Sequence, residues 1–280
     1  MRRAILFSAL LVALSELGCG APSAPAAAHG PRRWVSLSPA MTEVLFAVGA
    51  GPEVAGVCAP ATYPPEARDR RVVASFERLD LEGIVALKPD ACFTTTGVQD
   101  GEALGTLRRL GCLVRVYDVP DLAHLTRCMR DAGAKTGHAE TGEAAARGFE
   151  ERVRRAAPPP GEPPVPAVVV VGLDPLVVAG RASFLADVLR AAGFSNALQS
   201  AGESYPVVSL ESLAACHPRV VVFPGGEIPR EEAGALLTRL NRLLAAPARR
   251  VEVPADLLVR PGPRTADAVE ILARARGGGS

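Results

Sequence analysis

The sequence predicts an α/β protein built from two Rossmann-like lobes with parallel sheets, joined by a long rigid α-helix. Residues 79–90 and 208–219 look alike, because each offers a helix cap, a glutamate in the first turn, a proline and then an apolar run. Residues 42–49 and 186–193 match in the same order. Strand-like and helix-like segments alternate in both halves, which favours parallel sheets. Apolar residues at helical spacing, with no proline, predict the connecting helix at 121–157.

The first lobe is predicted over residues 31–120. Its opening strand at 34–37 leads into Ser38 and Pro39. This pair favours the start of a helix, since the serine can cap free amides of the first turn and the proline has no amide to satisfy. Further strands are predicted at 54–57, 91–94 and 113–116.

The connecting helix is predicted over residues 121–157, with Gly133 and Gly137 marking a bend and a run of three prolines ending it. The second lobe is predicted over residues 158–280. It opens with a continuous apolar run at 167–171, which is typical of a central parallel strand. Helices and strands then alternate to the end of the chain.

Composition narrows the classes of function. The 280 residues carry a formal net charge of +1 and are 48% hydrophobic. This is enough apolar material for two compact domains or one large one, and the net charge gives no electrostatic case for a nucleic-acid partner. The sequence contains no Walker loop, Gly-x-Ser-x-Gly elbow, Gly-x-Gly-x-x-Gly fingerprint or Cys-x-x-Cys pair. We therefore expect no enzyme activity, no metal site and no cofactor.

Residues 1–30 are predicted to be a signal peptide and a tether. Two arginines precede an apolar run at 4–14, which is too short to span a bilayer as a mature helix. Two interpretations of its processing stay open: Cys19, which follows a Leu-Gly pair, is a lipid acceptor, or cleavage occurs near 26–28 as in ordinary secretion. Both predict a periplasmic protein, and the first also anchors it to a membrane.

Aromatic side chains are the first candidates for ligand contact, because only 4% of the residues are aromatic. Phe76 and Tyr205 precede the two matching helices, so each lobe offers one ring to a large flat ligand. The alternative is that both rings fill the core beneath those helices. Tyr63 either lines the same cleft or wedges its own loop. Arg181 and Arg260 are candidates for contact with an anionic ligand.

Two glutamates occupy matching positions in the first turns of the matching helices. Glu82 and Glu211 can engage basic residues on a two-fold symmetric partner. The alternative is that each carboxylate only stabilises its helix through the dipole, by roughly 0.3–1 kcal/mol. Both effects can act at the same residue.

Seven segments carry a family resemblance: Trp34–Pro39, Thr42–Glu43, Gly49–Gly51, Tyr63–Pro65, Leu81–Asp90, Ala179–Phe184 and Arg260–Arg264. Together they resemble the helical-backbone periplasmic binding proteins, which are the substrate-binding components of ABC importers for cobalamin, haem and iron–siderophore complexes. The resemblance is closest to the cobalamin-binding branch, and it extends from about residue 33 to the end of the chain.

The resemblance implies roles for individual residues. In that family, aromatic residues at the positions of Phe76 and Tyr205 contact the corrin, and glutamates at the positions of Glu82 and Glu211 dock onto arginines of the permease dimer. The usual aromatic residue at both positions is tryptophan, and a further family tyrosine corresponds to Pro60 here. The chain therefore departs from the family pattern around the ligand.

The sequence thus predicts an exported, monomeric receptor that captures a cobalamin-like cobalt corrinoid and delivers it to an ABC permease dimer with its ATPase. A ferric siderophore or haem, each an iron chelate, is the alternative ligand. An enzyme on the same architecture and a receptor that feeds a sensor are the remaining hypotheses.

Overall fold

The structure is a computed structural model that describes residues 32–75, 78–97, 101–198 and 202–278. The predicted signal peptide and tether, with Cys19, lie outside the described residues, and so does Phe76. Within the described ranges, no helix has both the length and the apolar character needed to cross a membrane.

The first lobe is a five-stranded sheet in the order β3-β2-β1-β4-β5, and every neighbouring pair is parallel. Because the strand order reverses between β1 and β4, the carboxyl ends of these two strands border a crevice of the kind that binds ligands in open α/β sheets. The elements are β1 (Trp34–Ser36), α1 (Pro39–Ala47), β2 (Val54–Cys58), β3 (Arg71–Ala74), α2 (Leu81–Ala86), β4 (Ala91–Thr95), α3 (Gly101–Arg109) and β5 (Val114–Tyr117).

The connection between the lobes is a helical hairpin rather than one continuous helix. It consists of α4 (Leu122–Thr136) and α5 (Ala139–Ala156), which the sequence predicted as a single helix with a bend. Gly137 lies between them with φ of +88°, a left-handed conformation that glycine adopts at low cost and that ends α4. The chain therefore reverses at Gly137.

Close packing of the two helices shows why glycine occurs in both. A Cβ atom added to Gly133 would lie 2.8 Å from the Cα atom of Gly142. A side chain at this position would therefore force the two helix backbones apart. Arg130 then joins α4 to α5 through ion pairs of 2.8 Å with both Glu143 and Glu150. Only α5 continues into the second lobe, and its 18 residues span about 27 Å.

The second lobe repeats the first. In its sheet, β6 is flanked by β8 on one side and by β9 and then β10 on the other, all parallel. The antiparallel strand β7, which pairs with the end of β6, was missed by the sequence analysis. The elements are β6 (Val165–Leu173), β7 (Leu176–Val178), α6 (Phe184–Ala191), β8 (Phe194–Asn196), α7 (Leu210–Ala215), β9 (Val220–Gly225), α8 (Arg230–Asn241), β10 (Arg249–Pro254), α9 (Ala255–Leu258) and α10 (Thr265–Gly277).

The two matching sequence stretches form matching structures, as predicted. Asp80 accepts a hydrogen bond of 2.8 Å from the amide of Gly83 at the start of α2, and Ser209 accepts one of 3.1 Å from Ser212 at the start of α7. After each helix the residue before the proline has a positive φ, 47° at Lys88 and 48° at His217. The repeat therefore extends to an uncommon backbone conformation at equivalent positions.

A buried apolar cluster runs through both lobes and the hairpin. It includes Trp34 and Phe93 of the first sheet, whose rings meet edge to face at 5.9 Å, Phe149 of α5, and Phe194 and Val222 of the second sheet. Because the lobes share this core with α5, a large hinge motion would have to expose part of it to water. The shared core supports the stiff connection that the sequence predicted.

Candidate ligand-binding site

The loops at the carboxyl ends of the strands bring the two lobes together. The guanidinium of Arg264, which precedes α10, lies 4.1 Å from the ring centroid of Tyr63, which follows β2. Arg264 also donates hydrogen bonds of 3.0 and 2.5 Å to the carboxylate of Glu43 on α1. We call this three-residue contact between the lobes the inter-lobe joint.

Burial governs the electrostatics of the joint. The side chain of Glu43 is 2% exposed and that of Arg264 is 17% exposed. Desolvation raises the pKa of Glu43 above its ordinary value of 4.5, and the hydrogen bonds from Arg264 offset this only in part. Hydrogen bonding to Glu43 in turn raises the pKa of Arg264. The arginine is therefore a charged group whose counter-ion is supplied from the other lobe.

A cavity of about 640 Å³ opens beside the joint. Its volume lies within the range of small-molecule sites, which is about 300–1,000 Å³. The cavity thus presents aromatic, cationic and anionic groups from both lobes in one place. Its lining includes Glu43, Phe46, Tyr63, Arg70, Arg152 and Arg264.

A second arginine lies near the end of β2. Arg260 pairs with Asp256 at 2.8 Å and exerts an electrostatic effect on the thiol of Cys58, the last residue of β2. Burial raises the pKa of Cys58 to about 11, while Arg260 acts to lower it. The thiol therefore stays protonated at neutral pH.

Arg181 lies elsewhere. It is exposed and lines a different cavity, of about 710 Å³, together with Asp121 at the start of α4 and Asp187 on α6. Asp187 fixes this region by accepting a hydrogen bond of 3.0 Å from the amide of Leu122. The two cavities share no lining residue, so the structure does not bring Arg181 and Tyr63 together.

Tyr205 lies on a segment that extends the edge of β7. The amide of Gly180 donates a hydrogen bond of 2.8 Å to the carbonyl of Ser204, and Val177 forms an antiparallel bridge with Val207. A Cβ atom at Gly180 would lie 2.0 Å from the carbonyl oxygen of Glu203, so glycine is needed for this approach. The Tyr205 side chain is half exposed, at 49%.

Both candidate docking glutamates are exposed at the helix starts where the sequence predicted them. Glu82 lies in the first turn of α2 and Glu211 in the first turn of α7. Hydrogen bonds from its own amide and from Ser209 lower the pKa of Glu211, so this carboxylate is ionised at neutral pH. The two lobes thus offer matched surface carboxylates.

The inter-lobe joint was missed by the sequence analysis. Glu43 and Arg264 were both part of the family resemblance, yet 221 positions separate them and no local pattern pairs them. Within the described part of the chain, no group of three or more histidine, cysteine, aspartate or glutamate side chains is placed to hold a metal ion.

Comparison with known proteins identifies a family model and several proteins that this chain resembles. The family model described as "Periplasmic binding protein" matches residues 35–245. The vitamin B12-binding protein of Salmonella typhimurium is 30% identical over 230 residues, which cover 81% of this chain and 83% of the relative. That of Pectobacterium carotovorum is 27% identical over 237 residues, 84% of each chain.

Solved structures agree in fold. A periplasmic haem-binding protein from Pseudomonas aeruginosa is 29% identical with a TM-score of 0.75, covering 88% of this chain and 92% of its own. The periplasmic vitamin B12-binding protein of Vibrio cholerae has a TM-score of 0.72 at 24% identity, covering 87% and 95%. With the match of the family model over most of its length, the chain belongs to the periplasmic binding protein family.

Proposed function

We propose that this protein is the substrate-binding protein of an ABC importer, and that it captures cobalamin and delivers it to the permease. The observation that carries the proposal is the 30% identity to a vitamin B12-binding protein over four-fifths of both chains. The predicted signal peptide and the family together support a periplasmic location. Lipidation of Cys19 would hold the receptor at a membrane near its permease.

The aromatic residues supply the flat contacts in this proposal. Tyr63 and Tyr205 each belong to a loop that follows a parallel strand, one in each lobe, and the sequence adds Phe76, which lies outside the described residues, as a third aromatic candidate. A corrin ring offers a large, mostly apolar face, against which aromatic rings bury surface. The cavity beside the joint gives Tyr63 a wall of polar groups for hydrogen bonds to the amides at the rim of the ligand.

The ion pairs of Arg264 and Arg260 favour a corrinoid over an anionic chelate at these two positions. Arg264 is paired with Glu43 and Arg260 with Asp256, so each of these cations is already neutralised within the protein. An anionic siderophore or the propionates of haem would need cations not committed to other partners, because a buried charge without a counter-ion is costly. Cyanocobalamin carries no net charge and needs none.

Haem is the second candidate. It is supported by the 29% identity to the periplasmic haem-binding protein from Pseudomonas aeruginosa. Arg181 is exposed beside the 710 Å³ cavity and is the residue we assign to an anionic ligand in that case. Binding of haem would therefore depend on Arg181, whereas binding of a corrinoid would not.

Delivery is proposed to use Glu82 and Glu211, one on each lobe. Both are exposed in first turns of equivalent helices, which supports contact with two equivalent basic sites on a symmetric permease dimer. The ATPase of the importer would then power release of the ligand across the membrane.

Calorimetric titration of the purified mature protein tests the ligand. Cyanocobalamin, haemin and a ferric siderophore are titrated separately, and we expect cyanocobalamin to bind tightly at one per chain. Tyr205→Ala should weaken that binding by about tenfold, the effect of losing one aromatic contact of about 1.4 kcal/mol. Val207→Ala is the matched control on the same segment, since its side chain is more exposed, at 63%, and affinity should not change.

The outcome is decisive in either direction. Absence of heat with cyanocobalamin, together with tight binding of haemin that Arg181→Ala weakens, overturns the corrinoid assignment in favour of haem. Equal losses for Tyr205→Ala and Val207→Ala would remove Tyr205 from the site.

A further inference from the structure

The first long helix of each lobe carries a carboxylate at the same place in the repeat. Glu43 of α1 and Asp187 of α6 are aligned by the matching stretches 42–49 and 186–193. Each acid is followed by two buried apolar residues. Each stretch ends at a glycine with a positive φ, 93° at Gly49 and 83° at Gly193. The two acids therefore occupy equivalent positions.

Both acids contact the other lobe. Glu43 binds Arg264, the residue immediately before α10, in the inter-lobe joint. Asp187 accepts a hydrogen bond of 3.0 Å from the amide of Leu122, the first residue of α4. Each acid thus reaches from its own lobe to the start of a helix that comes after the last strand of the other lobe.

The amide of Leu122 needs an acceptor from outside its own helix. The first amides of an α-helix have no intrahelical acceptor. The capping residue Asp121 uses its side chain on the amide of His124, at 2.7 Å. Leu122 is only 8% exposed, so water has little access to it. The carboxylate of Asp187 satisfies this amide, and the positive end of the α4 dipole favours a negative charge there.

The starts of α4 and α10 are fixed to the bodies of their lobes. The hydroxyl of Tyr117 in β5 donates a hydrogen bond of 2.8 Å to Asp131, which ties α4 to the first sheet. In the second lobe, Arg276 of α10 donates one of 3.1 Å to the carbonyl of Gly193, which follows α6. A contact with either helix therefore constrains a whole lobe and not only a loop.

The two inter-lobe contacts lie in different places. Glu43 and Arg264 line the 640 Å³ cavity, Asp187 lines the 710 Å³ cavity, and the two cavities share no lining residue. The helix α5 connects the lobes as well. A single connecting helix allows two bodies to rock about it, whereas two further contacts at separate points oppose that motion.

We propose that Asp187 is a positioning residue for ligand binding, and that together with Glu43 it holds the two lobes at the angle that receives the ligand. This inference rests on the proposed function, in which the ligand lies between the lobes. A receptor whose lobes already have this angle needs no reorganisation on binding. Its affinity falls in proportion to the fraction of molecules that lose the angle.

Two substitutions remove this hydrogen bond from its two ends. Asp187→Ala removes the acceptor. Leu122→Pro removes the donor, and proline is tolerated at the first position of a helix. Asp187→Asn is the conservative variant, because its side-chain oxygen can still accept from the amide of Leu122. Arg190→Ala is the matched control, because Arg190 donates to Asp187 at 2.9 Å from the same helix.

Double electron–electron resonance on the full chain measures the distance between the lobes without ligand. Nitroxide labels are attached at Ala86→Cys on α2 and Ala215→Cys on α7, which are exposed and equivalent positions of the two lobes. The parent protein also carries Cys19→Ser and Cys216→Ser, because the other four cysteines are buried and do not take up label.

We expect a narrow distribution of label distances in the parent, and the same distribution in Asp187→Asn and Arg190→Ala. Asp187→Ala and Leu122→Pro should broaden it. Calorimetric titration with cyanocobalamin should show an affinity reduced about tenfold in these two variants, as expected if about a tenth of the molecules keep the lobe angle. Asp187→Asn and Arg190→Ala should stay within about twofold of the parent.

The contrary results are distinct from a failure of the proposed function. Label distances unchanged by Asp187→Ala would overturn the positioning role, and so would an equal broadening by Asp187→Asn. Leu122→Pro supplies the same test if Asp187→Ala does not fold. Broadened distances, with no binding of cyanocobalamin to the parent, would overturn the corrinoid assignment and support the positioning of the lobes. Weaker binding with unchanged distances would overturn the positioning role and assign Asp187 to ligand contact.

Discussion

Removing Arg264 tests the inter-lobe joint. Its guanidinium donates two hydrogen bonds to Glu43, whose side chain is only 2% exposed. Arg264→Met keeps much of the volume and leaves a buried carboxylate without its cation. Removing one partner of a buried pair costs about 3–5 kcal/mol. We expect Arg264→Met to lower the free energy of unfolding by about 3 kcal/mol at neutral pH, the lower end of this range. Protonation of Glu43 would remove its charge and so reduce the cost of burying it without a partner.

The size of this loss depends on pH. Burial already raises the pKa of Glu43 above 4.5, and removal of Arg264 raises it further. A carboxyl group with a raised folded-state pKa keeps its proton after the unfolded chain has released it. Stability is therefore greatest below the unfolded-state pKa and falls as pH rises toward the folded-state pKa, by up to about 1.4 kcal/mol per pH unit.

Urea unfolding at pH 5 and pH 7 measures both effects. The difference in the free energy of unfolding between wild type and Arg264→Met should be larger at pH 7 than at pH 5. Adding Glu43→Gln to Arg264→Met should remove most of that pH dependence. Arg155→Met is the matched control, because its pair with Glu151 on α5 is exposed and is worth less than about 1 kcal/mol. An equal gap at both pH values, or no rescue by Glu43→Gln, would refute this account of the joint.

Two further predictions concern the hairpin and the docking surface. Gly133→Ala should lower the free energy of unfolding by about 1–3 kcal/mol in urea, because its Cβ would lie 2.8 Å from the Cα of Gly142. Gly148→Ala on α5 meets nothing within 4 Å and should stabilise by about 0.5–1 kcal/mol, so a loss in both variants would contradict the packing argument. Exchanging Glu82 and Glu211 for arginine should abolish uptake of labelled cyanocobalamin by cells. The affinity measured by calorimetry should stay within about twofold of wild type, a change of roughly 0.4 kcal/mol. Weakened binding would instead assign these residues to the ligand site.

Local sequence chemistry predicted the repeated elements well. Three helices begin where the sequence predicted, with the N-caps Ser38 (followed by Pro39), Asp80 and Ser209. Capping is predictable because it depends only on a side chain and an amide three residues away. The apolar run at 167–171 lies within the central strand β6, as its continuous hydrophobicity indicated.

Features that depend on direction or distance could not be predicted in the same way. Helical periodicity continues through Gly137, but it does not encode that the chain turns back there. The three-residue strand β7 is too short for a period-two pattern, and it exists because β6 offers it a partner.

At the candidate site, contacts between residues far apart in the sequence could not be predicted. The sequence identified Glu43 only as part of the family resemblance, and its burial against Arg264 of the second lobe is visible only in the structure. Tyr63 was predicted from the sequence as a ligand candidate, but its contact with that arginine depends on the same folding event. The side chains that join the lobes are therefore visible in the structure and not in any local motif.

Hydrogen–deuterium exchange with and without cyanocobalamin tests most directly whether the ligand is held between the lobes. We expect slower exchange in loops of both lobes, at residues 59–64 after β2 and at 203–207 and 255–264 in the second lobe, with the strand cores unchanged. Protection confined to one lobe, or none at saturating ligand, would contradict it.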